Sequence, residues 1–204
     1  MQNTRERIQQ EALKLFARNG YEAVSVRDIA GRLGIAQSAL YKHYANKRAI
    51  FESIVSRMQA EDLSRAQAFA VPEARLADDA AAYRGMRVET IQRYTFAQFL
   101  YWVEDDFAAD FRRMLTLEQY RSDEMMALYQ QYLSGGVIDY VEDLFREMGR
   151  FYDWRGREPR QLALLFYAPV YMLMNLYDGT ADKAGTVALA SAHIDGFFAG
   201  LQQA

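Results

Sequence analysis

Gln37, Ser38, Tyr41 and Lys42 stand at spacings that place them on one face of a short helix, while Leu40 and Tyr44, one turn apart, mark the opposite face. A merely solvated helix carries Glu and Lys pairs; this face carries an amide, a hydroxyl, a phenol and an ammonium. The Gln37 amide matches the donor and acceptor of an adenine edge, Lys42 can donate to guanine O6 and N7, and Tyr41 can pack on a thymine methyl or bond a phosphate. Those partners lie together in the major groove of a duplex, which is wide enough to admit a helix. Ser25 and Lys47 flank the stretch at two predicted helix starts, where a hydroxyl, an ammonium and free amides suit phosphate oxygens.

Three predicted helices hold this face. Asn3 with Glu6 forms a capping-box pattern, and Ile8, Ala12, Leu15 and Phe16 then repeat on one face from about Thr4 until Asn19-Gly20 stops the helix. Ser25 with Asp28 three residues on starts a second helix, with Ile29, Ala30 and Leu33 inward, that ends at Gly34. Gly34 tolerates the left-handed backbone of a tight turn, and Ile35 can pack back on the helix it ends. A third helix covers Gln37 to Tyr44. Asn46 caps a longer fourth one with Ile50, Phe51, Ile54, Val55 and Met58 at helical spacing. Arg32 and Arg48 read as solvated charge.

The run from Ser25-Val-Arg-Asp-Ile-Ala through Leu33-Gly-Ile to Leu40-Tyr-Lys-His-Tyr-Ala-Asn-Lys47 resembles the tetracycline-repressor (TetR/AcrR) family of bacterial regulators. The likeness extends from about Arg5 to Phe51, under a quarter of the chain. It implies that Arg27 meets bases or phosphate, that Gln37, Ser38, Tyr41 and Lys42 meet bases, and that His43 and Lys47 grip phosphates. Ala36 departs from the Ser cap frequent in the family, and Ala39 lacks the hydroxyl of a Thr or Ser there; each removes a phosphate contact. The resemblance also implies dimerisation through the last two helices and a small-effector pocket in the remainder.

Charge divides the chain in the same place. Residues 1–50 carry nine Lys/Arg against four acids, a balance of +5, and residues 51–204 a balance of −8. A basic head on an acidic body suits a polyanion partner. The absence of cysteine excludes disulfides, thiolate chemistry and Cys-type zinc sites. The polar start from Met1 to Ile8 lacks the apolar stretch of a secretory signal, which predicts a cytoplasmic protein. The longest apolar run, Leu162 to Met174, is interrupted by Pro169 and is shorter than the roughly 20 residues that span a bilayer, so no membrane partner is expected.

The predicted fold is all-α: a helix-turn-helix DNA-binding domain over 1–50, joined by the long fourth helix to an effector-binding and dimerisation domain over 51–204. In the latter, helical patches recur at about Val88 to Val103, Asp105 to Arg121, Asp123 to Met148, Arg160 to Asp178 and Lys183 to Gln202. Pro72 and the Ala-rich stretch to Ala82 suggest a hinge or loose loop. Val187, Ala190, Ile194, Phe197 and Leu201 repeat at three- and four-residue steps, with Gly196 and Gly200 on a neighbouring strip. With Tyr171 of the preceding helix they are the expected dimer face. An unusually aromatic interior includes Trp102, Tyr120 and Phe166, and the polar Gln98, Gln119, Arg121 and Asn175 are the expected markers of a ligand site within it. Plain core packing explains the same aromatic stripes. Pro169 frees the carbonyl of Leu165, a place for a kink, and Gly135-Gly136 suggests another kink or a close approach.

These features point to a homodimeric repressor on palindromic double-stranded operator DNA, released by a small, largely apolar or aromatic effector. A DNA-bound architectural or protein-recruiting factor with no small ligand is the alternative. An enzyme is not expected, and neither a catalytic residue, a metal nor a cofactor is assigned. Only His43 and His193 occur, without a phosphate-binding loop, nucleophile motif or metal-ligand spacing.

Overall fold

The computed structural model describes residues 4–71 and 87–203; Asn3 and the hinge expected at Pro72 to Ala82 lie outside them. Among the described residues the order is α1 (Thr4–Asn19), α2 (Val26–Leu33), α3 (Gln37–Tyr41), α4 (Lys47–Ala68), α5 (Val88–Glu104), α6 (Asp106–Glu118), α7 (Asp123–Leu133), α8 (Gly135–Met148), α9 (Pro159–Gly179) and α10 (Lys183–Gln203). The described residues contain no strand. They fall into two compact units, one of Met1–Asp62 with Asp106–Tyr129 and one of Leu63–Asp105 with Gln130–Ala204.

The first unit differs from a domain cut at residue 50 because α6 joins it. Phe107, Ala108, Phe111, Met114 and Leu115 of α6 are buried, and α6 packs on α1. From α1 come Ile8, Ala12, Leu13 and Phe16; Leu15 is only half-buried, so Leu13 occupies the inward position expected of it. Ile29, Leu40, Tyr44, Ile50, Phe51 and Ile54 complete this core. Gly20 marks where α1 ends on α6. Its φ is +84° and an added Cβ would lie 2.6 Å from a carboxylate oxygen of the buried Glu118. The left-handed backbone is what favours glycine at this position.

The second unit gathers α5, α8, α9 and α10, with α9 touching α8, α10 and α5. Phe145, Phe166, Phe197 and Phe198 form its centre, with ring centroids 5.0–6.0 Å apart. Trp154 Nε1 donates to the Phe145 carbonyl (2.8 Å) and the Tyr167 hydroxyl to that of Leu133 (3.1 Å), so the polar ends of these rings are satisfied inside. The single helix expected from Asp123 to Met148 is two. It breaks at Ser134, whose backbone leaves the helical region (φ −139°, ψ −113°), and the chain passes close to itself there: a Cβ on Gly136 would stand 2.8 Å from the Gln131 carbonyl oxygen. α9 runs on through Pro169.

Candidate nucleic-acid interface

Local chemistry builds the frame. The Ser25 hydroxyl accepts from the Asp28 amide (3.2 Å), and the Asp28 carboxylate accepts from the Ser25 amide (2.8 Å) and from the Ser25 hydroxyl (2.6 Å), a complete capping box at the start of α2. These bonds from Ser25 hold the Asp28 carboxyl below its ordinary pKa. They also commit the Ser25 hydroxyl hydrogen inside the cap rather than to a phosphate. At the other end Gly34 adopts φ +67°, and the Ile35 amide reaches back to the Ala30 carbonyl (3.0 Å), closing α2 with the left-handed turn expected of it.

α3 follows after Ala36, which makes no side-chain cap bond. Its regular part stops at Tyr41, short of Tyr44, since His43 and Tyr44 both bond back to the Leu40 carbonyl in a tightening turn. Leu40 is fully buried and Tyr44 nearly so, which leaves Gln37, Ser38, Tyr41 and Lys42 exposed on the far face. The Gln37 amide donates to the Tyr41 hydroxyl (3.1 Å), so the two are pre-set against each other. Arg27 is exposed and His43 half-buried. The arrangement presents donors and acceptors on a helix whose back is locked into a core.

Lys47 is placed differently from a phosphate grip. Its ammonium donates to the carbonyls of Tyr21 (2.8 Å) and Glu22 (3.3 Å), pairs with the Glu22 carboxylate at 3.7 Å and stands 4.2 Å from the Tyr21 ring centre. It braces the α1–α2 turn against the start of α4, which Asn46 caps through the Ala49 amide (2.8 Å). Arg32 and Arg48 are engaged in ion pairs, with Glu11 and with Glu52 and Glu124 respectively.

Residues 8–54 match the family model described as bacterial regulatory proteins of the tetR family. Over that segment, under a quarter of the chain, it is similar to regulators of the TetR/AcrR family. It is 31% identical over 120 residues to a putative mycofactocin biosynthesis transcriptional regulator of Mycobacterium tuberculosis, covering 50% of this chain and 61% of that one. Against the class A tetracycline repressor from transposon 1721 of Escherichia coli it is 41% identical over 51 residues, 25% of this chain and 24% of the relative. The chain therefore spans less than two thirds of either relative. Among solved structures, the SmeT complex with triclosan superposes with a TM-score of 0.71 at 18% identity, over 98% of this chain and 91% of that one. FadR from Bacillus halodurans gives 0.64 at 16% identity, over 99% and 98%. These two show the fold, an N-terminal helix-turn-helix with a helical remainder. The relatives named are regulators, not enzymes.

The ligand candidates are scattered. Gln119, Tyr120 and Arg121 follow α6 in the first unit; Tyr120 is 85% exposed and Arg121 is exposed beside Glu118, so neither lines an interior. The expectation fails there because a short turn at a helix end carries aromatic and basic residues without burying them. Asn175 is also exposed, its amide donating to the Tyr171 carbonyl (2.9 Å). Gln98 and Trp102 do share α5, with the Gln98 amide on the Tyr94 hydroxyl (2.8 Å) and Trp102 buried. Phe166 is core, packed against Phe145, Phe197 and Phe198. A separate open groove of about 560 Å³ runs between α5 and α10, lined by Phe96, Glu104, Lys183, Val187 and Ser191 among others.

The expected dimer stripe is corrected in register. Ala190, Ile194 and Leu201 are buried within the unit and Phe197 packs on Phe145 and Phe166, so this stripe of α10 is intrachain core; Tyr171 and Val187 are half-buried. On these two helices the exposed large apolar side chains are Leu164, Leu165, Met172 and Leu176 of α9 and Leu189 of α10. Nothing stands within 4 Å of where a Cβ would sit on Gly196 or Gly200. Periodicity alone located an apolar face without revealing that neighbours of the same chain consume it.

Among the described residues no helix is long and apolar enough to cross a membrane, and no group of three or more metal-ligating side chains is suited to hold an ion.

Proposed function

We propose that this chain is a DNA-binding transcriptional regulator that acts as a homodimeric repressor on a palindromic operator. The observation that carries the reading is the exposed face of α3, with Gln37, Ser38, Tyr41 and Lys42 outward and Leu40 and Tyr44 locked beneath. Arg27 flanks it from α2, and His43 and the amide-rich start of α2 at Ser25 supply phosphate contacts. Lys47 serves chiefly as a brace, and reaches a phosphate only by exchanging its carbonyl partners.

Two copies set the reading helices about 34–36 Å apart, in successive major grooves. The face of α9 with Leu164, Met172 and Leu176, together with the open strip at Gly196 and Gly200, is the surface for the second copy; Asn175 and Tyr171 belong to it. In this reading residues 1–50 contact DNA from within the first unit, and effector binding and dimerisation belong to the second. A small apolar or aromatic effector releases the operator, a reading supported by the aromatic interior around Trp102 and Gln98 and by triclosan in the complex of SmeT. Near-complete release requires the effector to favour the DNA-incompetent state by about 5.5 kcal/mol.

Recovery of bound genomic fragments by the purified chain, followed by footprinting, tests the reading. A protected inverted repeat with half-sites one helical turn apart is expected. Binding of equal strength to matched and scrambled fragments overturns it. An operator complex indifferent to every apolar compound tried favours the protein-recruiting alternative.

A further inference from the structure

Arg48, in the first turn of α4, and Glu124, in the first turn of α7, lie 76 positions apart and meet as a fork: Nη1 and Nη2 each donate to one carboxylate oxygen at 2.6 Å. The third arm is used as well, with Arg48 Nε donating to Glu52 at 2.8 Å, while the guanidinium lies 5.5 Å from the Phe51 ring centre. Bidentate pairing of this kind fixes orientation as well as distance.

Both ends of the fork are anchored. On the α7 side, the Ser122 hydroxyl accepts from the Met125 amide (3.2 Å), and the preceding turn follows from Glu118, whose carboxylate abuts Gly20 at the end of α1. On the α4 side, Arg48 is the immediate neighbour of Lys47, the brace on Tyr21, and follows directly on the turn that ends the reading helix. The Glu124 carboxyl is held below its ordinary range by the bonds from Arg48, as a partner that stays ionised.

We propose that Glu124 is a positioning residue for DNA binding: through its fork with Arg48 it fixes the first turn of α4, and with it the Gln37–Tyr44 segment, in the orientation that meets the duplex. The inference rests on the DNA-binding reading above and adds to it a residue far outside the helix-turn-helix. Its physical basis is preorganisation. A reading helix whose following turn is already held loses less freedom on binding. An exposed ion pair contributes little to global stability, so the effect is expected in binding rather than in unfolding.

The sign of the effect separates this role from a bystander. Glu124 is an acid paired to the basic segment 1–50, which faces a polyanion; removing its charge by Glu124→Gln lowers repulsion, and a bystander would leave binding unchanged or tighten it. The positioning role predicts the opposite, a loss of about two- to fivefold in operator affinity. The slope of affinity against salt stays as in the unaltered chain, because no phosphate contact is lost.

The experiment is an operator titration by fluorescence anisotropy with the full chain, far below its melting temperature. It compares Glu124→Gln, Glu124→Asp, Arg48→Glu and the swap Arg48→Glu with Glu124→Arg. Weaker binding by the Gln variant, a smaller loss for Asp, and partial recovery in the swap relative to Arg48→Glu are expected. Unchanged or tighter binding by Glu124→Gln overturns the inference, as does a lowered melting temperature with operator affinity intact. Absence of operator binding by the unaltered chain overturns instead the function proposed above.

Discussion

The two compact units put opposite kinds of surface on display. The first exposes hydrogen-bonding groups on α3 over a small, closed core, and the second exposes Leu164, Leu165, Met172 and Leu176 on α9 over a core of phenylalanines. A face of amides, hydroxyls and ammonium groups gains specificity when each group finds its matching edge. An apolar face gains free energy from any well-fitted cover, and most cheaply from a second copy of itself. Substitutions in the two regions should therefore separate into losses of recognition and losses of folding or assembly.

The largest expected effect lies in the second core. Phe166→Ala should lower unfolding free energy by about 3–5 kcal/mol in denaturant titrations, since a fully buried ring leaves a cavity. Met172→Glu tests the exposed face of the same helix: it should leave the monomer folded yet weaken self-association by about 2–4 kcal/mol in sedimentation experiments, from burying an unpaired carboxylate. A dimer untouched by Met172→Glu would break the assignment of that face.

In the first unit, Lys42→Ala should cost about 1–3 kcal/mol of discrimination between operator and scrambled DNA with an unchanged melting temperature. Ser25→Ala should cost about 1 kcal/mol of stability through the lost cap, and lower operator affinity only as far as α2 frays. The smallest effect concerns pH. Asp28 has a lowered folded pKa, so its contribution is present above the usual carboxylate range and is lost as pH falls through the lowered value, below about pH 4. Stability measured across that acid range should fall less steeply in Asp28→Asn than in the unaltered chain.

Legibility in the sequence followed the distance between interacting groups. The capping box of Ser25 and Asp28, the left-handed Gly34 and the outward face of α3 all arise within a few residues of one another, and all are present where the sequence predicts them. Even here the end of α3 was less definite, because His43 and Tyr44 share one carbonyl in a turn that propensity cannot distinguish from helix. In the second unit the helices themselves were legible, but not which face of α10 turns inward. An apolar stripe such as Ala190, Ile194 and Leu201 has the same spacing whether its cover comes from the same chain or from another copy. Tyr120 misled for a related reason, since residue type says nothing of whether a helix-end turn is covered.

By itself the sequence determined the helix-turn-helix, its outward polar face and the helical character of the other described residues, because hydrogen bonds and side-chain periodicity over one or two turns suffice for those. Only the tertiary structure decided that α6 belongs with the first unit, that the α10 stripe is core, and that Lys47 braces a turn. It alone brought Arg48 to Glu124, a pairing that depends on how the intervening chain folds back and that no local spacing encodes.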